Sequence, residues 1–209
     1  MARDVESTKK RLRDAARQEF AEHGLHGTTV ERIAARAKAN KERLYSYFGD
    51  KNALFTSILI EELEKVAEAV PVRVERTEDF GELAGRTFDY LRTHPEVQRL
   101  LMWEALADTG EVADELNRRV HYRSKVEALE AAQRDGLLDD TISANHLQFL
   151  LLALANWWFA APQIARMLTE GSIDEDEWAG RRRAVVEAAN RIVCGKSPSG
   201  STRSDREDR

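Results

Sequence analysis

Residues 37–51 read AKANKERLYSYFGDK, with four cations (Lys38, Lys41, Arg43, Lys51) and three aromatics (Tyr45, Tyr47, Phe48) in fifteen positions. Ammonium, guanidinium and phenol groups are donors suited to phosphate oxygens and to base edges. Arg43 or Lys41 could donate to guanine O6 and N7, and Glu42 could accept from cytosine N4. Thr29, Tyr45, Tyr47 and Lys51 suit phosphates, which set register rather than sequence. The same residues could equally decorate an exposed helical hairpin. Short helix pairs are common, so spacing alone leaves both readings open.

The elements around this stretch determine whether the donors converge. Thr28-Thr29-Val30-Glu31 reads as a capping box, with the Thr28 side chain accepting from the Glu31 N–H. The helix behind it carries Val30, Ile33, Ala34 and Ala37. A break follows at Lys38-Ala39, and Asn40 can cap a second short helix over residues 41–47. Two short helices joined by three or four residues have the form of a helix-turn-helix. Ala34 is small where the second helix crosses. Ile33, Ala37 and Leu44 fill the space beneath it together with Leu12, Ala16 and Phe20. At about 100° per residue, Leu44 and Phe48 point inward and Glu42, Arg43 and Ser46 point away, with Lys41 and Tyr45 on the flank. A major groove admits a helix packed in this way.

Charge is distributed to match. The chain of 209 residues has a net charge of −5, yet residues 1–55 hold twelve lysines and arginines against eight aspartates and glutamates. A basic end on an acidic body points to an anionic partner for the first segment. Proline is scarce, β-branched alternation is almost absent, and Ala, Leu, Glu and Arg dominate, which predicts an all-α fold. Helices are expected over about 7–23 (ended by Gly24), 51–70 (capped by Asp50), 80–93, 95–107, 111–135 (ended by Gly136), 143–170 (kinked at Pro162) and 174–194. The tail 196–209 lacks apolar residues and is expected to be disordered. The single Cys194 reads as an apolar contact in a reducing compartment. With no secretory signal and no membrane-length apolar run, a cytoplasmic protein is expected.

The run RLRDAARQEFAEHGLHGTTVERIAARAKANKERLYSYFGDKNALF resembles the N-terminal domain of TetR-type (TetR/AcrR) transcriptional regulators. The matching residues are Ala16, Phe20, Gly24, Thr28-Thr29, Ile33-Ala34, Leu44-Tyr45, Phe48, Lys51 and Leu54, over about residues 8–60. The resemblance implies a helix-turn-helix domain over 1–50 and a helical ligand-binding and dimerisation domain over 51–195, with 51–70 connecting them. It implies a homodimer on a near-palindromic double-stranded DNA operator. Asn40, Lys41, Glu42 and Arg43 then fall at the base-reading end, and Thr28, Thr29, Lys38, Tyr45, Tyr47 and Lys51 are the phosphate candidates. Two positions depart from the family pattern. Lys38 stands where glycine is usual; if φ is positive there, the cost is roughly 1 kcal/mol. Glu42 stands where a small residue is common, and acts either as a cytosine reader or as a filter against wrong sequences.

The segment LQFLLLALANWWFAA (147–161) is apolar nearly all round, which predicts burial on several sides. By the resemblance, the last two long helices pair with their mates. Leu150, Leu154, Trp158, Trp178, Val185, Val186 and Ala189 are the interface candidates. A pocket for a hydrophobic or aromatic effector is assigned to Phe88, Met102, Trp103, Glu104, His121, Tyr122, Phe149, Asn156 and Trp157, mostly apolar with a few polar handles. A buried Glu104 would favour a cationic effector.

Enzyme chemistry lacks its parts. The five histidines show no metal-binding spacing, and there is no glycine-rich phosphate loop and no nucleophile elbow. No catalytic residue, metal or cofactor is expected. The function expected is a ligand-responsive transcriptional regulator, most simply a repressor. The competing readings are an activator and a helical ligand-binding or scaffolding dimer without an operator.

Overall fold

The computed structural model describes residues 2–107, 110, 112–169 and 173–194. Ten α-helices and no strand form among them: α1 (Ala2–Gly27), α2 (Val30–Arg36), α3 (Lys41–Phe48), α4 (Lys51–Ala69), α5 (Glu78–Thr93), α6 (Pro95–Ala107), α7 (Glu115–Arg134), α8 (Ala144–Ala160), α9 (Pro162–Leu168) and α10 (Glu175–Val193). The expected kinked helix over 143–170 is two helices. Ala161 breaks the pair at 82°, because Pro162 cannot donate to the preceding turn and sits instead at the first position of α9. No single described helix is long and apolar enough to cross a membrane, although α8 and α9 together would pass by length and composition. The tail 196–209 lies outside the described residues.

Two apolar cores form. The first joins Leu12, Ala16 and Phe20 of α1, Ile33 of α2 and Leu44 of α3 to Leu54, Phe55, Ile58 and Leu59 of α4 and Leu100 of α6. The second gathers Phe80, Leu83, Ala84 and Phe88 of α5, Leu129 of α7, Leu147, Leu151 and Ala155 of α8, and Val185, Ala189 and Val193 of α10. α5 and α10 approach closely at Gly81, whose N–H donates to Asn190 Oδ1 at 2.9 Å and where a methyl group would overlap the Asn190 amide. Cys194, expected as an apolar contact, is exposed at the end of α10.

Candidate nucleic-acid interface and effector cavity

α2 is held on α1 by one buried carboxylate. Glu19 accepts from the Thr28 hydroxyl at 2.8 Å, from Arg32 Nε at 3.0 Å and from Arg36 Nε at 2.9 Å. Arg36 also grips Glu22, which raises the Arg36 pKa and holds the Glu22 carboxyl below its ordinary range. Sequence reasoning missed Glu19, whose one signal is a carboxylate inside the stripe of Ala15, Ala16 and Phe20. It also removes Thr28 from the phosphate candidates. Thr28 is 1% exposed with its hydroxyl committed to Glu19, so its side chain is not available to a phosphate. The helix cap moves to Thr29, which accepts from Arg32 N at 3.2 Å.

Lys38 adopts φ 49°, the left-handed conformation that glycine would take without cost. Arg11 Nη1 donates to the Lys38 carbonyl at 3.4 Å and supports that turn. Asn40 caps α3 through Glu42 N, so its side-chain oxygen is occupied. Lys41, Glu42, Tyr45 and Ser46 are exposed on the outer face of α3. Lys41 Nζ lies 3.6 Å from Glu31, and Arg43 leans back to donate to the Thr8 hydroxyl at 3.3 Å. Tyr47 is half-buried beneath the Lys9 ammonium, and Lys51 Nζ donates to the Thr28 carbonyl at 2.9 Å. Thr29, Lys38 and Tyr45 are exposed on the same unit.

In the second half, a cavity of about 210 Å³ opens between α4, α5, α6, α7 and α8. Ile60, Leu63, Val66, Leu91, Val97, Leu101 and Leu152 supply its apolar wall. Gln98, Arg118, His121, Tyr122, Lys125 and Asn156 add polar groups, with Glu64 and Asp114 also lining it. Glu104 lies behind this wall, largely buried and paired with Arg118 Nη1 at 2.8 Å and with the Ala113 N–H at 2.9 Å. Glu104, expected to favour a cationic effector if buried, is already neutralised by Arg118 and makes no such demand. Burial pushes the Lys125 ammonium below the ordinary lysine range.

Residues 12–58 match the model of bacterial regulatory proteins of the tetR family, and residues 79–191 match the tetracyclin repressor-like C-terminal domain. The chain belongs to the TetR family. It is 42% identical over 193 residues to the transcriptional repressor SCO4008 of Streptomyces coelicolor, covering 92% of this chain and 98% of that one. The repressor NicS of Pseudomonas putida is 28% identical over 75% of this chain and 78% of its own. Among solved structures, the regulator SCO4942 of Streptomyces coelicolor superposes with a TM-score of 0.77 at 30% identity, over 90% of this chain and 98% of that one. Like these relatives, the chain is a transcriptional regulator.

The pocket and interface candidates are only partly placed as expected. His121, Tyr122 and Asn156 line the cavity. Phe149 and Trp157 do not: they stand outside on α8, 72% and 60% exposed. Phe88 is packed among Trp158, Phe159 and Trp178 instead. Met102 does not line the cavity. Val185 and Ala189, expected at the interface, are buried within the chain at 2% and 0% exposure. Val186 packs toward Gly85, and Leu154, Trp158 and Trp178 pack on the same core. The reason is geometric: α10 spends its apolar face on α5, which leaves Arg183, Glu187 and Arg191 outside. Of the interface candidates, Leu150 is exposed.

Trp103 has a different role. Its indole packs against Gly24, where a Cβ would come within 2.7 Å of the ring, and Nε1 donates to the Ala21 carbonyl at 3.2 Å. Gly24 kinks α1 there with φ 71° and ψ 178°. α6 thus presents Val97, Gln98 and Leu101 to the cavity and Leu100 and Trp103 to the helix-turn-helix unit.

Proposed function

We propose that this regulator is a ligand-responsive repressor, binding a near-palindromic operator as a homodimer and leaving it when a small, largely apolar molecule fills the cavity. The observation that carries the reading is α6, one helix shared by the cavity wall and the core of the reading head. α4 connects the two as well: Ile58 and Leu59 lie in the first core, and Ile60, Leu63 and Val66 line the cavity. A ligand moves the equilibrium only if it binds the DNA-incompetent state more tightly than the DNA-competent one. A cavity walled by the two connecting helices is where that difference in affinity would arise. The sign of regulation is supported by the names of SCO4008 and NicS, both repressors.

On the DNA side, Lys41 and Glu42 face the bases, with Asn40 at the start of the helix. Arg43 joins them once it leaves Thr8. Thr29, Lys38, Tyr45, Tyr47 and Lys51 hold phosphates. For dimerisation, the exposed face Phe149, Ala153 and Trp157 of α8, at spacing i, i+4, i+8, is the covered surface. A selection from random duplexes tests the whole. The expected product is a two-fold-symmetric site with half-sites about one helical turn apart, ~34–36 Å, or a multiple of it. No enrichment at any salt concentration sinks the operator reading.

A further inference from the structure

Three residues of the cavity lining each carry a buried side-chain atom that lacks a hydrogen-bond partner among the described residues: Gln98 Oε1, Asn156 Oδ1 and Arg118 Nε. Gln98 is 6% exposed. Two further such atoms lie elsewhere, Gln148 Oε1 and Arg17 Nε, the second of them 2.6 Å from the Glu62 carboxylate. A primary amide carries a donor and an acceptor side by side, so Gln98 and Asn156 offer both kinds of partner whichever way each amide is turned. Arg118 is paired with Glu104 behind the wall, and Glu64, Asp114 and Lys125 are the other charged groups of the lining. Among apolar ligands of equal charge, hydrogen bonding to the two amides is what separates one from another.

Resting on the ligand-responsive reading above, we propose that Gln98 and Asn156 are the specificity-determining residues of the cavity. The effector class they select is a neutral, largely apolar molecule carrying an amide-type group that both gives and takes hydrogen bonds. Such a group supplies the bonds that the two amides lack within the chain. A hydrocarbon of the same size strands them, and a site built to hydrogen-bond its ligand rejects analogues that lack the group. Gln98 lies on α6, two residues before Leu100, so the bond to the effector is made on the helix that also enters the reading-head core.

The test uses the full-length protein and three probes: acetanilide, N-methylacetanilide and n-butylbenzene, with binding read by calorimetry and ligand-observed NMR. Wild type should prefer acetanilide to n-butylbenzene by about tenfold or more, with N-methylacetanilide between them. Gln98→Met and Asn156→Leu, which keep volume and remove the amide, should each reverse or abolish that preference. Two variants guard against one that misfolds, and the wild-type ranking needs neither. A wild type that takes n-butylbenzene as readily as acetanilide, or takes neither, overturns the proposal. Operator binding is measured in parallel without probe. A protein that ranks the probes as expected but binds no operator supports this assignment and sinks the repressor reading. One that binds its operator but shows no amide preference overturns this assignment alone.

Discussion

Lys38 is a residue whose backbone and side chain pull in different directions. Its φ of 49° favours glycine, while its exposed ammonium stands in the turn before α3. Lys38→Gly should therefore raise folding stability by a few tenths to about 1 kcal/mol in urea titrations. The same change should weaken operator binding across all sequences and flatten the log–log salt dependence by about 1, the signature of one lost phosphate contact. A stabilised variant with an unchanged salt slope would leave Lys38 as a turn residue only. In the cavity, Lys125 has its pKa lowered by burial, so folding disfavours its charged form. For a lysine the sign is a cost: it is fully present below the folded pKa and disappears as pH rises through the ordinary lysine range, about pH 10. Lys125→Met should then melt above wild type at pH 7, with the gap narrowing at pH 10. A gap that is constant with pH would place the effect in packing rather than charge.

At the level of elements, α2 depends on Glu19. Glu19→Ala strands the buried Thr28 hydroxyl, frees Arg32 and leaves Arg36 to Glu22, and should cost about 1–3 kcal/mol by urea melt, with operator affinity falling alongside. Loss of affinity without loss of stability would mean that Glu19 acts only through the surface arginines. The same residue shows what was legible in the chain and what was not. Local signals placed α2, α3, α4 and α6 almost to the residue, because caps such as Asn40 and Asp50 and the proline at 95 are short-range facts. The capping threonine was assigned one position early, because the partner that claims Thr28 lies on α1, nine residues away. Phe149 and Trp157 were assigned inward and Val185 and Ala189 outward for a related reason. Periodicity finds an apolar face, and only packing decides which neighbour covers it. In α8 the residues are apolar nearly all round, so no stripe marked the uncovered side.

For the whole molecule, that uncovered side matters most. Phe149, Ala153 and Trp157 form an exposed line on α8, and Met167 and Leu168 are exposed on α9. Trp157→Glu should yield a monomer in light scattering. Operator affinity should drop by at least a hundredfold, since one half-site then binds without the effective concentration that the second supplies. A dimer that survives the change would move the interface to another face. The contact between Gly24 and Trp103 constrains the molecule in another way, across generations rather than within one fold. A side chain at position 24 would overlap the indole and would also have to adopt a positive φ, so the two sites cannot drift separately. Descendants of this chain that lose the glycine must first trade the tryptophan for something smaller. The order of those two substitutions thus follows from the 2.7 Å that would be left between a β-carbon and the indole ring.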